Sequence, residues 1–203
     1  MRALETLVAE GKVRHLGVSN FTTDLLDAAR AVHPLVTNQI GYHMLDRRKE
    51  DEIIPYCRAN GIGIMAYGSL AHGVLAGAFT PSTTLDADDW RASGYAFGLP
   101  LFHADHLALN LTAVGRVRAL AEGAGLSLPQ LALAWVLREP TVSTALVGCR
   151  NPAEVAAAVA VTTVDVPAAV LVEADAIAHE AYQRMRRDEQ PVTDVGPLRR
   201  KAG

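Results

Sequence analysis

Short segments with strand character alternate with amphipathic helical segments along this chain of 203 residues. The strand segments are apolar or rich in β-branched side chains and span residues 13–18, 35–39, 62–66 and 142–147. Such alternation is typical of parallel β/α units, which occur in open doubly wound sheets and in barrels. No G-x-G-x-x-G sequence follows any of the four segments, which disfavours the dinucleotide-binding form of the open sheet. A complete barrel needs eight strands and about 250 residues, so the sequence predicts an α/β fold containing part of a barrel.

Capping residues mark several predicted helices. Thr22 or Thr23 begins one, Ser127 opens another with capping-box spacing, and Asn151 precedes a third. Further helical patterns cover residues 2–10, 48–60, 110–124 and 168–185. Between them, residues 68–109 form a long connection rich in Gly, Pro, Ser and Asp. A connection of this length is often functional.

Composition argues against several kinds of partner. The formal net charge is −3 and no long run carries one sign, so we expect no binding of nucleic acid or of an anionic membrane. No apolar stretch approaches the roughly 20 residues that span a bilayer. Cys57 and Cys149 are the two cysteines, and they do not form the framework of a disulfide-rich secreted domain. We therefore expect a cytoplasmic protein with reduced thiols.

The beginning of the chain already has a helical pattern. Leu4, Leu7 and Val8 fall on one helix face, and no N-cap residue precedes them. Natural domains seldom begin within a helix. We therefore expect that sequence upstream of Met1 is missing.

Five motifs occur in order along the chain, at residues 11–21, 38–48, 61–77, 89–91 and 131–150. They resemble the segments around the fifth to eighth barrel strands of the aldo-keto reductase family, and the resemblance runs from residue 1 to about residue 180. It implies parallel (β/α) units of an (α/β)8 TIM barrel, N-terminally truncated to about the last four strands. Residues 1–185 would form this C-terminal half, and residues 186–203 a polar tail.

The resemblance assigns roles to polar residues at the carboxyl ends of the strands, where barrel active sites lie. Ser19, Asn20 and Gln39 are expected to hydrogen-bond the nicotinamide carboxamide, which offers both a donor and an acceptor. Tyr67 is expected to stack on the nicotinamide ring. Each residue taken singly also suits a turn, a cap or the core, and it is their position on consecutive strands that favours the cofactor.

The resemblance assigns a second group of residues to the cofactor phosphates. The loop expected beside the pyrophosphate contains Gly68, Ser69, Leu70 and Gly73. Gly148 and Arg150, at the start of a helix, are expected near the adenosine phosphates. The implied cofactor is NADP(H), because Arg150 would meet a 2′-phosphate, with NAD(H) as the alternative.

Three positions depart from the family pattern. Ala157 and Ala158 stand where the family commonly has a Glu-Asn pair that holds the adenine. Glu154 stands where Arg or Gln is common, and we interpret it as the capping-box partner of Asn151. These departures predict weaker adenosine binding and leave the 2′-phosphate preference open.

No catalytic residue is predicted in this chain. The family reduces a carbonyl by hydride transfer, with a Tyr as proton donor, a Lys and an Asp that tune it, and a His that orients the carbonyl. By the resemblance, all four belong to the first half of the barrel. The chain has three lysines, none of them directly after a predicted strand: Lys12, Lys49 and Lys201. No metal site is predicted either, since His103, Asp105 and His106 lack zinc-ligand spacing.

The sequence leaves three functions open. The first is an oxidoreductase acting on a small carbonyl compound, the second a non-catalytic module that binds a nicotinamide nucleotide, and the third an inactive remnant. Half a barrel would also leave two open sheet edges and expose the inward side chains of Leu16, Val18 and Ile64. We therefore expect self-association.

Overall fold

A computed structural model describes residues 1–191 and contains a four-stranded parallel sheet. The strands pair in chain order and are β1 (Gly17–Ser19), β2 (Thr37–Gly41), β3 (Gly63–Tyr67) and β4 (Val142–Ala145). The predicted parallel β/α arrangement is thereby confirmed. Residues 192–203, which make up most of the expected polar tail, lie outside the described residues.

Seven α-helices accompany the sheet within residues 1–191: α1 (Arg2–Ala9), α2 (Thr23–Arg30), α3 (Ile53–Ala59), α4 (Ala104–Gly123), α5 (Leu128–Leu137), α6 (Pro152–Ala160) and α7 (Ala168–Arg187). Single 3-10 turns lie at Ala71–Gly73, Trp90–Ser93 and Val161–Thr163. Three predicted caps are present. The Thr22 hydroxyl accepts from the Leu25 N–H, Ser127 forms a complete capping box with Gln130, and the Asn151 side chain accepts from the Glu154 N–H.

The largest differences from the predicted boundaries are at two helices and one strand; β2 is also displaced by two residues, to Thr37–Gly41, and β4 ends at Ala145. α4 begins at Ala104 rather than near 110, because two polar residues of its buried face, His106 and Asn110, hide the apolar periodicity. α3 begins at Ile53 rather than near 48. β1 covers only the last part of the predicted segment, because the N–H groups of Lys12 and Val13 bond to the Leu7 carbonyl at the end of α1.

The two faces of the sheet differ in polarity. Asn38, Ile40, Ile64 and Ala66 are fully buried on the face that packs against the helices. Their strand neighbours, on the opposite face, are partly exposed, and most of them are small or polar. These are Thr37, Gln39, Gly41, Gly63, Met65 and Tyr67.

This alternation corrects the expectation that Leu16 and Ile64 are exposed inward residues. Leu16 is 4% exposed and Ile64 is 0% exposed, and Val18 is half-buried. Side chains alternate between faces along a strand, and the apolar set points to the helices. The open face is therefore lined mainly by small and polar side chains, and its larger side chains are those of Met65 and Tyr67.

The connection from β3 to α4 is held to the carboxyl ends of the strands. The Arg48 guanidinium, paired with Asp46 at 2.6 Å, donates to the Phe97 carbonyl at 2.7 Å. It also pairs with Glu189 at 2.8 Å. Residues 186–190 are therefore a docked segment rather than the start of a free tail, since α7 continues to Arg187 and Gln190 donates to the Gly98 carbonyl.

Within the described part of the chain, no single helix is long and apolar enough to cross a bilayer; only bent pairs, α4 with α5 at 94° and residues 152–163 with α7 at 119°, reach that length and apolarity together.

Candidate functional site

The carboxyl-terminal parts of β1, β2 and β3 bring four of the predicted site residues into one cluster, with Gln39 at the centre of β2, two residues before its end at Gly41. Ser19 and Gln39 are partners in the β1–β2 register, and the Ser19 hydroxyl donates to the Gln39 carbonyl at 3.0 Å. The Tyr67 hydroxyl donates to Asn20 Oδ1 at 3.1 Å. Asn20 adopts a left-handed conformation with φ of 58°, which an Asn tolerates better than most residues. Three consecutive strands thus carry the polar cluster that the sequence predicts.

The ring of Tyr67 is packed on two sides. It meets the Phe97 ring edge-on with centroids 5.7 Å apart. On the other side, a Cβ placed on Gly41 would lie 3.3 Å from the Tyr67 ring, so the glycine gives the ring its room. Burial raises the pKa of Tyr67, and its hydrogen bond to Asn20 opposes that effect. Tyr67 is therefore a neutral, positioned aromatic side chain.

A cavity of about 570 Å³ begins directly after Tyr67. Its walls come from the loop after β3, the start of α5, the segment after β4 and the first turns of α6. It gathers the six remaining predicted site residues: Gly68, Ser69, Leu70, Gly73, Gly148 and Arg150. It also includes the three positions that depart from the family pattern, Glu154, Ala157 and Ala158.

The loop from Gly68 to Gly73 is tightly wound. Ala71 and His72 both have left-handed backbones, with φ of 49° and 53°. The N–H groups of Ala71 and Gly73 already bond within the loop, to the carbonyls of Gly68 and Leu70 at 2.7 and 3.1 Å. Ser69 is buried and donates to the Ala66 carbonyl. The loop therefore has a defined shape, and part of its backbone donor capacity is used internally.

Sequence reasoning missed the role of His72 as a cavity-lining residue. Its ring lies edge-on to the rings of Trp90 and His43, with centroids 5.1 and 5.9 Å away. Burial lowers the pKa of His72 to about 4 and that of His43 to about 3. Both are neutral at physiological pH. A histidine in a glycine-rich loop gives no local signal of such contacts, which arise from segments distant in sequence.

Arg91 is a second lining residue that the sequence did not single out as part of the site. Its Nε donates to Asp89 Oδ1 at 2.9 Å, and its Nη1 donates to the His72 carbonyl at 3.2 Å. Arg91 lies in the motif at residues 89–91. The signal for its pairing with Asp89 is that the two opposite charges are two residues apart in sequence.

Arg150 and Glu154 form a closed pair at the start of α6. The Arg150 Nη2 donates to Glu154 Oε1 at 2.9 Å, and the Arg150 backbone N–H donates to Oε2 at 2.8 Å. A capping-box carboxylate would accept from the N–H of the cap residue itself, Asn151. Here the Glu154 carboxylate accepts instead from the N–H of Arg150, the residue before the cap. In this position the carboxylate also reaches the Arg150 guanidinium. The interpretation of Glu154 as the capping-box partner of Asn151 is correct in that the Asn151 side chain accepts from the Glu154 N–H at the start of α6. It differs in the backbone N–H that the Glu154 carboxylate binds, which is that of Arg150.

Among residues 1–191, no group of three or more His, Cys, Asp or Glu side chains is placed to hold a metal ion. His106 instead pairs with Asp188 at 2.8 Å, and His103 lies 3.5 Å from Asp105.

Known proteins resemble this chain in sequence and in fold. The sequence model of the Aldo/keto reductase family matches residues 1–179. The aldo-keto reductase YhdN of Bacillus subtilis is 37% identical over 155 residues, which cover 76% of this chain and 45% of YhdN. The probable aldo-keto reductase 1 of Glycine max is 35% identical over 136 residues, covering 67% and 38% of the two chains.

Among solved structures, that of the glycerol dehydrogenase AKR11B4 from Gluconobacter oxydans is similar with a TM-score of 0.80 at 31% identity. The match covers 95% of this chain and 56% of that one. The chain thus spans about half the length of the relatives it matches.

Proposed function

The chain belongs to the aldo/keto reductase family, and from that premise we propose that it holds the nicotinamide dinucleotide in an NAD(P)H-dependent reduction of an aldehyde or ketone to an alcohol. In this proposal the four strands correspond to the C-terminal half of an (α/β)8 barrel. The residues that protonate the carbonyl belong to barrel strands outside this chain. The cofactor is NADP(H) or NAD(H), and the substrate is a small carbonyl compound.

The observation that carries the proposal is the continuity of a polar cluster with a neighbouring cavity. The strand-end cluster ends at Tyr67, and the cavity begins at the next residue, Gly68, and extends to Arg150. A nicotinamide dinucleotide has the flat nicotinamide ring at one end, two phosphates in the middle and an adenosine at the other end, so it needs a site that joins such regions. The volume of about 570 Å³ lies within the range of roughly 300–1,000 Å³ that is usual for ligand pockets.

The chemistry of the cluster supports a carboxamide at its end of the site. The side-chain amides of Asn20 and Gln39 supply donors and acceptors together, which a carboxamide requires. Tyr67 offers a ring held by Phe97, and aromatic side chains stack on flat ligands in this way. The raised pKa makes the Tyr67 hydroxyl a weak proton donor, so the residue suits stacking rather than general acid catalysis.

The tyrosines nearest the site support a proton donor elsewhere. A tyrosine that acts as a general acid near neutral pH needs a pKa below its ordinary value of about 10. Burial instead raises the pKa of Tyr67 and of Tyr42. The hydroxyl of Tyr42 is also bonded to Glu50, at 2.8 Å. Within residues 1–191, neither tyrosine is paired with a lysine, and Lys12 pairs with Glu10 before β1 begins.

Cofactor titration tests the proposal. Trp90 lies against the cavity-lining His72, so quenching of tryptophan fluorescence reports occupancy. We expect saturable binding of NADH or NADPH by the purified chain. Tyr67→Ala should raise Kd about threefold to tenfold through loss of stacking, whereas Tyr67→Phe, which keeps the ring, should bind nearly as well as the wild type. Absence of saturable binding, or an unchanged Kd in Tyr67→Ala, would contradict the proposal.

A second function, a non-catalytic module that binds the dinucleotide, is favoured by the raised tyrosine pKa values. NAD(P)H consumption with a panel of aldehydes separates the two functions. We expect no turnover by the chain alone, since loss of a general acid costs about 100-fold to 10,000-fold. Turnover that appears on mixing with a fragment carrying the first four barrel strands of a relative supports the reductase. Turnover by the chain alone that Tyr42→Phe or Tyr67→Phe abolishes would contradict our placement of the donor.

A further inference from the structure

The cavity wall carries three charged side chains, those of Arg91, Arg150 and Glu154. Arg91 lies beside the loop after β3, where it donates to the His72 carbonyl, whereas Arg150 and Glu154 lie at the start of α6. Of the α6 residues on the wall, all within the described part of the chain, Glu154 is the polar one and the other two are Ala157 and Ala158. The balance of charge on this wall bears on which dinucleotide the cavity accepts.

The carboxylate of Glu154 occupies the donors that a phosphate would use there. It accepts from the Arg150 backbone N–H at 2.8 Å, from the Arg150 guanidinium at 2.9 Å and 3.2 Å, and from Asn151 Nδ2 at 3.1 Å. Backbone N–H groups at a helix start and an arginine fork are the usual ligands of a phosphate. Here a side chain of the same protein already holds them.

The guanidinium of Arg91 is not free to bind a phosphate in place of that of Arg150. Its Nε and Nη2 bond to the Asp89 carboxylate, and its Nη1 donates to the His72 carbonyl. Hydrogen bonds from Arg150 hold the pKa of Glu154 below its ordinary value, and Arg91 does the same for the pKa of Asp89. Both carboxylates are ionised at neutral pH. Each of the two arginines on the cavity wall is therefore paired with a carboxylate, Arg91 with Asp89 and Arg150 with Glu154.

Resting on the proposed dinucleotide function, we propose that Glu154 is a specificity-determining residue that selects a dinucleotide with a free ribose 2′-hydroxyl, NAD(H), against one with a 2′-phosphate, NADP(H). A 2′-phosphate that approaches Arg150 meets the Glu154 carboxylate, which repels it and keeps the donors. A ribose hydroxyl instead donates a hydrogen bond to that carboxylate. In other dinucleotide sites an acidic side chain likewise binds the 2′-hydroxyl, whereas an arginine accommodates the 2′-phosphate.

Arg150 taken alone suggests a preference for NADP(H), and its pairing with Glu154 reverses that expectation. The side chain of Arg150, just before α6, is 86% exposed and pairs with Glu154 in the first turn of that helix, four residues on. Its charge is directed to Glu154 rather than into the cavity. Removing the charge of Glu154 should therefore release Arg150 for a phosphate.

Titration of the full chain with NADH and NADPH, at one ionic strength, tests the inference. We expect the wild-type Kd for NADPH to exceed that for NADH by about tenfold or more, a difference of about 1.4 kcal/mol for each factor of ten. Glu154→Gln, which keeps the size and loses the charge, should lower the ratio several-fold by tightening NADPH binding. Glu122→Gln, an exposed glutamate of α4 away from the cavity lining, is the matched control and should leave the ratio unchanged.

The outcomes separate this inference from the function on which it rests. Equal or tighter binding of NADPH by the wild type, or a ratio that Glu154→Gln does not change, overturns the role of Glu154 and leaves dinucleotide binding in place. Binding of neither dinucleotide overturns the proposed function and the inference with it. Circular dichroism melting of each variant shows that α6 is still folded when the ratio changes.

Discussion

Gly68 has no room for a side chain. Its φ is +65°, and a Cβ there would lie 3.0 Å from the ring of His72. The left-handed backbone costs a non-glycine residue about 1–2 kcal/mol, and the contact presses on a ring that is itself held by Trp90 and Phe97. The absence of a side chain at Gly68 therefore leaves room for the His72 ring at the cavity wall.

We predict that Gly68→Ala lowers the free energy of unfolding by about 1–2 kcal/mol and weakens dinucleotide binding by displacing His72. Gly115→Ala is the matched control. Gly115 lies inside α4, where an added Cβ meets nothing within 4 Å, so alanine should stabilise the helix by about 0.5–1 kcal/mol. Urea denaturation measures both changes, and a neutral Gly68→Ala would contradict the strain.

The neutral histidines predict a pH dependence of stability. Burial lowers the pKa of His43 to about 3 and of His72 to about 4, against about 6.5 in the unfolded chain. Between pH 7 and 5 the unfolded chain therefore takes up protons that the folded chain does not. The free energy of unfolding contributed by each histidine is complete above pH 6.5 and should fall by about 1–2 kcal/mol as the pH reaches 5.

Urea denaturation at pH 7 and pH 5 measures this loss. His43→Gln should reduce the difference between the two pH values by the share of that histidine. His15→Gln, at an exposed position of the chain, should leave the difference unchanged. An identical pH dependence in His43→Gln and the wild type would show that His43 is protonated in the folded protein.

Among the helices, α6 carries part of the cavity wall with few contacts of its own. It has no buried residue, and Val155 and Val159 are 48% and 61% exposed. The neighbouring α5 buries six of its ten residues, Trp135 among them. Local opening costs least where few apolar contacts must be broken. The wall that carries Glu154 is therefore held mainly by its cap at Asn151 and by the Arg150–Glu154 pair.

We predict that the amides of α6 exchange with solvent faster than those of α5, because opening α6 exposes little apolar surface. Hydrogen exchange measured by mass spectrometry compares the two helices in one experiment. Asn151→Ala should accelerate exchange in α6 further, since loss of an N-cap costs about 1 kcal/mol, and should leave α5 unchanged. Equal protection of the two helices would contradict this view of α6.

At the scale of the whole molecule, the sheet has two strands with one neighbour each, β1 and β4. Strand edges with unpaired backbone groups favour pairing with another chain. The open face of the sheet carries mainly small and polar side chains beside Met65 and Tyr67, so we expect contact between chains mainly through the strand edges. Val155 and Val159 on α6 add exposed apolar surface beside β4.

We predict concentration-dependent self-association of the chain through these edges, visible in sedimentation velocity. Thr144 is an exposed residue of β4, and Thr144→Lys should shift the distribution towards the monomer because an edge lysine opposes strand pairing. Thr112→Lys, on the exposed side of α4, is the control and should change little. A monomer that is stable over a wide range of dilution in the wild type would contradict the prediction.

The sequence by itself determined the elements and their order. The caps at Thr22, Ser127 and Asn151 form as predicted because a cap bonds an N–H only two or three residues away. The alternation of strand and helix also forces parallel pairing, since a helix between two strands returns the chain to the same end of the sheet. The predicted positions of Asn20 directly after β1 and of Tyr67 at the end of β3 follow from these local signals, whereas β2 continues two residues beyond Gln39, to Gly41.

Only the tertiary structure decided which face each strand residue occupies and which residues share the cavity. The face of Leu16 and Ile64 depends on the register with neighbouring strands, such as Gly17 opposite Thr37, and a shift of one residue exchanges the faces. The partners of His72 and the meeting of Gly68 with Arg150 join segments far apart in sequence. Such contacts form only when the whole sheet has packed, because closing long loops costs entropy that local patterns do not offset.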